Sequence, residues 1–521
     1  MSSVAPLLHL SALGIYFHAF FVSLTLGLPF AIAAMLWMSR REGGGVYMRA
    51  AKLMTRVLVL NFALGAITGT LVEFGLVQVW PGVNLAIATA ALAPLALELI
   101  AFTLEIALLV LFYVTLGRVK ALVSIAVIAL YTVFAFFSAF LITAVNSWMQ
   151  APWGTGALAQ ALYPFMPEFG PDAVDEAKLV ALKVSALAEG VPVSVLLERP
   201  GLSEKLGVVL EDPLAALYNP YAAISALHNI LAGVLIALSL VVAAWAYRYY
   251  RTGAPEYLSV LKPLVLMLAV LFVLQAPVFA HFMGEAVVKF NPTKFAMMEG
   301  ARETYRNPVV ALIAYGDPSK PIQGFDAFYE SCEKLGGLTL GELARKLDLY
   351  PYLAALDSAS VQKLEEVKLR DLCVADLRRA ERLLELVHYA YYAKVAAAVV
   401  GGLAVAALLL SFVRIPLLSP LAVKVTSLLG GERRRILILS ALAVAGTVTP
   451  SALGWAVREV GRKPWTVYGL LTPEELATPV PLAQNPAFIA WAALFIAAVG
   501  LAGVCAMYLV ASKSVGVLEK R

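Results

Sequence analysis

Residues 10–38 read LSALGIYFHAFFVSLTLGLPFAIAAMLWM, a stretch with no Asp, Glu, Lys or Arg. About 20 apolar residues in a helix cover the hydrocarbon core of a bilayer, where each unpaired backbone group costs several kcal/mol. Working outward, similar stretches recur at roughly 57–79, 84–117, 121–148, 221–247, 263–284, 395–413, 436–457 and 486–512. Of the 521 residues, 61% are hydrophobic and 14% charged, where a soluble domain carries about 45–50% and about 25%. That balance excludes an ordinary soluble protein. It predicts an all-α, polytopic membrane protein with nine transmembrane helices. The first stretch exceeds the 7 to 15 residue core of a signal peptide and no basic segment precedes it, so it is expected to be retained as a helix. The formal charge of +5 forms no basic run or arm, and no nucleic acid partner is expected.

Basic residues near span ends orient a membrane protein, because loops rich in Lys and Arg stay cytoplasmic. Arg40, Arg41, Arg49, Lys52, Arg56, Arg118, Lys120, Arg248, Arg251, Lys262 and Arg433–Arg435 all fall on one side of the predicted spans. The N-terminus is therefore expected outside and the C-terminus in the cytoplasm. The organisation expected is helices 1–4 in 1–148, an outer loop at 149–220, helices 5–6 in 221–284, a long outer loop at 285–394 and helices 7–9 in 395–521. Helical spacing of apolar residues in GLTLGELARKLDLYPYLAAL and VQKLEEVKLRDLCVADLRRAERLLELVHYAYY predicts that the two long loops are ordered. Cys332 and Cys373 share one outer loop on the oxidising side, so a disulfide is expected, with two free thiols as the alternative. Cys505 lies inside span nine.

Polar residues inside spans carry the functional signal. The five histidines, His9, His18, His228, His281 and His388, all fall in the outer half of the membrane or at its outer edge. Imidazole is a common axial ligand of haem iron, and several at one depth suit haems held in a helix bundle. The alternative for each is an interfacial side chain with a satisfied hydrogen bond. Glu98 and Glu105 are seven residues apart on span three, two turns and one face, about 10 Å end to end. Carboxylates at that depth mark proton or ion conduction or a ligand; an internal hydrogen-bonded pair is the alternative.

The strings FHAFFVSLTLG, NFALGAITGTLVEF, PLALE, AFTLE, NSWMQAP, NPTKFAMMEG and GWAVREVGRKPWTVYGLL, in that order, resemble signature stretches of subunit I of the cytochrome bd quinol oxidases. The resemblance spans the chain. It implies a nine-helix subunit that oxidises quinol on the outer side and reduces oxygen with cytoplasmic protons, joined in the prokaryotic cell membrane to a second membrane subunit. The implied cofactors are haem b, low-spin and high-spin, and haem d or another high-spin haem. By the same resemblance His18 and Glu459 ligate the oxygen-reducing pair of haems, His228 is one ligand of the low-spin haem, and Trp455 and Arg462 line the haem site. Lys294 and Glu299 match the quinol-binding loop, where a carboxylate near a lysine can supply a proton acceptor and a hydrogen-bond partner. Glu98, Glu105 and Ser138 match the proton route to the haems.

The chain departs from the family pattern on helix seven. There YYAKVAAAVVGG has Lys394 in place of an arginine and Ala396 in place of the methionine that completes the low-spin haem. His281 and Met283 are replacement donors within reach, His388 would serve only if the helix or haem shifts outward, Lys394 is a fourth candidate, and a haem held by His228 alone is the remaining case. A divergent haem-binding partner subunit, structural or electron-transferring and without quinol oxidation of its own, is the alternative function. A proton-coupled transporter would need internal pseudo-symmetry and broken helices, and neither is visible.

Overall fold

The computed structural model describes residues 4–41, 44–172, 176–198, 214–353 and 356–519. Among the described residues nine helices are long and apolar enough to cross a membrane. They are α1 (Ala5–Met38), α2 (Gly45–Val79), α3 (Pro81–Thr115), α4 (Ala121–Gln150), α5 (Pro220–Thr252), α6 (Pro255–Phe290), α7 (Leu384–Leu410), α8 (Glu432–Val460) and α9 (Pro486–Glu519). The all-α expectation holds; the described exception is a short antiparallel pair, Thr155–Gly156 with Phe169–Asp172.

Several helices outrun the apolar runs that announce them. α2 begins at Gly45 rather than near 57, α6 at Pro255 rather than near 263, and α7 at Leu384 rather than near 395. A charged residue ends an apolar run without ending a helix, because the backbone bonds are internal to the segment. With 34 residues at about 1.5 Å each, α1 is roughly 50 Å long against a hydrocarbon core of about 30 Å.

α1 packs on α2, α4, α5 and α9, and α5 bridges α1, α4 and α8. Phe21, Ile32, Met35, Tyr131, Trp245 and Leu264 belong to the core these helices share. α7 pairs with α8 where Gly401 meets Gly446; a Cβ on Gly401 would stand 2.6 Å from Gly446 Cα. Small residues at such a crossing let backbones approach, which is how helices associate without a hydrophobic drive. α6 is interrupted by one π turn, Gln275–Phe279. Pro277 has no N–H to give and so widens the ladder there.

The connections 151–219, 291–383 and 461–485 gather at one end of the bundle into a cap with its own core, to which Tyr163, Phe169, Leu182, Phe295, Leu369, Trp465 and Tyr468 contribute. Residues 199–213, within the first long loop, lie outside the described residues. Helices form where the spacing predicts them, among them Leu340–Lys346 behind a Thr339/Glu342 capping box. Cys332 and Cys373 are bridged, with Cα atoms 5.8 Å apart, and Cys505 is free. Two buried contacts tie the three connections together. Tyr163 donates to Asp376 at 2.6 Å, and Lys183 pairs with Glu475 at 3.0 Å. Burying such charges costs several kcal/mol each, so this pair specifies how the cap closes more than it stabilises it.

Candidate functional site

The densest polar cluster forms where α4, α5 and α8 end under the cap. Glu459 is one residue from the end of α8. Its Oε2 accepts from Arg462 Nη2 at 2.5 Å, and its Oε1 accepts from Asn146 Nδ2 at 3.2 Å. Arg458 donates through Nε to Asn146 Oδ1 at 2.6 Å and through its other nitrogens to Ser225 and Ser147. Its guanidinium lies 5.6 Å from the Trp455 ring centroid. Next comes Lys294, which donates to the Gln150 side chain and is 1% exposed. Gln150 in turn reaches the Arg458 carbonyl at 3.3 Å.

Four basic residues, Lys294, Arg458, Arg462 and Lys463, thus surround one carboxylate. Burial, with the charges of Arg458 and Arg462, holds the Lys294 ammonium well below its ordinary range. The same two causes, burial and then Arg462, pull Lys463 down to about 8. Arg462 Nε and Nη1 are buried with no partner among the described residues. An excess of buried cations with unspent donors calls for an anionic group. The carboxylate side chains of a haem have that chemistry.

His18 lies on α1, half-buried against α2. Thr68 Oγ1 is 3.2 Å from His18 Nδ1, and the threonine hydroxyl donates to Leu64 O at 2.9 Å. Its one proton spent there, the hydroxyl oxygen accepts from Nδ1–H. The ring then keeps its lone pair on Nε2, the tautomer that ligates iron, oriented by an outer partner as metal-bound histidines are. Gly69 leaves the room: a Cβ there would stand 2.9 Å from His18 Cε1.

His228, on α5, is held at the π turn of α6. Gln275 Nε2 lies 3.2 Å from His228 Nδ1 and donates to the His228 backbone carbonyl at 2.9 Å. The donors His18, His228 and Glu459 stand singly on three helices. That suits a haem, whose porphyrin fills the other positions on iron; among the described residues no cluster of three or more His, Cys, Asp or Glu side chains is placed to hold a bare ion.

On α3, Glu98 accepts from Ser138 of α4 at 3.1 Å, and Glu105 is buried two turns further along. The hydroxyl of buried Tyr131, on α4, has no partner among the described residues. Lys294 and Glu299 do not come together. They share the short helix Pro292–Glu299, but five residues turn through about 140°, so Lys294 points at Gln150 while Glu299 accepts from Tyr392 of α7 at 3.1 Å. Burial raises Glu299 above the ordinary carboxylate range, and the Tyr392 hydrogen bond partly opposes it. His388 is not directed at α5: its Nδ1 lies 2.9 Å from the Met298 carbonyl. His281 pairs with Glu285 at 3.3 Å on the partly exposed side of α6.

Asn146, Ser147, Gln150, Ser225, Gln275, Thr68 and Tyr392 complete these sites without having been singled out as site residues in the sequence. The signal was present for some, since a polar residue near the end of an apolar span needs a partner, and NSWMQ holds three of them.

A family profile described as "Cytochrome bd terminal oxidase subunit I" matches residues 9–515. Among curated relatives, a putative cytochrome bd menaquinol oxidase subunit I of Bacillus subtilis is 24% identical over 308 residues, 58% of this chain and 59% of that protein. A cytochrome bd-II ubiquinol oxidase subunit 1 of Escherichia coli is 34% identical over 144 residues, 27% of this chain and 28% of that one. The alignments thus span less than two thirds of these relatives. The solved structure of the bd oxidase from Geobacillus thermodenitrificans superposes with a TM-score of 0.67 at 18% identity, covering 99% of each chain, a likeness of fold. Nine candidate spans and a profile match over nearly the whole length lead to one assignment: this chain belongs to the cytochrome bd terminal oxidase subunit I family.

Proposed function

We propose that the chain is the haem-bearing subunit of a terminal oxidase complex, oxidising quinol beside α7 and reducing oxygen to water. In this reading it sits in the prokaryotic cell membrane with a second membrane subunit, its cap and N-terminus outside and its C-terminus in the cytoplasm. His18 and Glu459 would hold the oxygen-reducing haems, a high-spin haem b and haem d or another high-spin haem, and His228 the low-spin haem b. Trp455, Arg458 and Arg462 would line that centre. When bound, haem supplies the one-electron chemistry that joins the two half-reactions.

The observation that carries the reading is the helix Pro292–Glu299. One of its faces places Lys294 in the Glu459 cluster and another presents Glu299 toward α7, so a single rigid element couples a carboxylate able to take a quinol proton to the haem centre. Glu98, Ser138 and Glu105 form a polar line along α3 and α4 through which cytoplasmic protons reach that centre. Release on one side and uptake from the other separates charge without a pump.

The test is a reduced-minus-oxidised spectrum of the purified complex, together with Glu299→Gln. Haem bands are expected in both proteins, with quinol turnover lowered by about 100-fold or more in the variant; no haem bands, or unchanged turnover, rejects the reading. The burial of Lys294 away from Glu299 favours a second reading, a haem-binding partner subunit without quinol oxidation of its own. Full turnover in Glu299→Gln is the result that reading requires.

A further inference from the structure

We propose that His388 is the second proton acceptor of the quinol site, acting beside Glu299. The proposal rests on the quinol-oxidising reading given above. A quinol becomes a quinone by breaking two O–H bonds and forming two C=O bonds, with loss of two protons and two electrons. The electrons leave one at a time for ferric haem iron, the acceptor class the family supplies. The two protons need two bases. Glu299 is one, but its carboxylate takes a single proton and one of its oxygens already accepts from Tyr392. Lys294 is not the other, since it is buried against the Gln150 side chain, on a different face of the helix from Glu299.

His388 has the required chemistry in the required place. Its Nδ1 faces the Met298 carbonyl at 2.9 Å. A carbonyl oxygen can only accept, so Nδ1 carries the hydrogen and the neutral ring keeps its basic lone pair on Nε2. Among the described residues no side chain bonds Nε2. The ring centroid is 4.9 Å from that of Tyr392, whose hydroxyl is the donor to Glu299. The two bases therefore flank one tyrosine at the start of α7.

The surroundings suit a lipid-soluble substrate. Leu386 and Tyr389 of α7 are more than half exposed, as are Val309, Leu312 and Ile313 of the helix Pro308–Tyr315, a helix that reaches back to the site where Tyr315 meets Phe295. These exposed apolar side chains, on the helix that carries His388 and on the one whose Tyr315 meets Phe295, offer the kind of surface an isoprenoid quinol contacts. Ionisable groups facing the pair are Tyr305, Tyr315, Tyr391 and Tyr392. Arg302 is neutralised by Glu381 and Glu385 at 3.1 and 3.0 Å.

The experiment uses the intact complex in membranes, a short-tailed benzoquinol as substrate and a one-electron dye as a donor that bypasses the quinol site. His388→Ala is expected to lower kcat for the benzoquinol by about 100-fold, the usual size of a general-base contribution. Dye-driven oxygen uptake and the haem spectrum should stay as in the wild type, and added imidazole should restore about tenfold of the loss. His388→Gln keeps a donor for the Met298 carbonyl but cannot take a proton, and is expected to stay as slow as His388→Ala. A His388→Gln protein with wild-type turnover, or a His388→Ala protein that imidazole does not rescue, overturns the proposal. Glu299→Gln, measured alongside, separates the two levels. If it too is fully active, the quinol-site reading fails. If it is slow while His388→Gln is fast, only the role of His388 falls.

Discussion

Tyr392 shows how one hydroxyl sets the chemistry of a neighbour. Its bond favours the charged form of Glu299, while burial favours the neutral form and is the larger effect. Glu299 must be deprotonated to accept a proton, so turnover should fall as pH drops through a value above the ordinary carboxylate range. Tyr392→Phe removes the bond that lowers that value, and the acid limb of kcat/KM should move to higher pH; a limb that stays or moves down contradicts the assignment. Thr68 acts on His18 in a comparable way, through tautomer rather than charge. Thr68→Val keeps the shape but removes the acceptor for Nδ1–H. Losing such an outer partner costs roughly 10- to 100-fold in affinity for the metal centre, and the haem-to-protein ratio after dilution should fall.

Single elements carry the next set of consequences. The Cys332–Cys373 bridge joins Phe325–Glu333 to Leu369–Glu381 across a sequence separation of 41. In the chain-entropy account, closing a loop of that length is worth about 4 kcal/mol. Cys332→Ser with Cys373→Ser should therefore open this part of the cap to protease at lower temperature while the spans stay protected, as limited proteolysis against temperature would show. Legibility at this scale was uneven. Apolar spacing announced Leu340–Lys346, because that signal lies within a few neighbouring residues; the Thr339/Glu342 capping box that starts the helix was local too but was not read. The π turn of α6 was announced by no such signal, since Pro277 alone is compatible with a kink, a break or a straight helix. Its value lies in aiming Gln275 at His228, a residue 47 positions away.

At the scale of the whole molecule, the long connections fold into one cap at one end of the bundle, and the basic residues named in the sequence fall at the other. In the proposed topology, which follows the positive-inside rule, the cap lies outside. An impermeant maleimide should label Val480→Cys in intact cells and Leu428→Cys only after lysis, both positions being exposed; the reverse pattern would invert the topology. The class of fold was open to reading because the ability to cross a bilayer depends on length and apolarity, and both are properties of a contiguous segment. For the same reason His18, His228, Glu98 and Glu105 could be picked out one by one, each a polar group inside an apolar run. What the sequence could not decide was which of these groups meet. Glu459 takes its partner Asn146 from 313 positions away, and His388 turns to Met298 from 90 away, so their chemistry depends on packing between helices. Lys294 and Glu299 separate for the opposite reason: they are neighbours in the chain, but a helix turns them to different faces, and only the tertiary structure supplies the different partners, Gln150 and Tyr392, that each face meets.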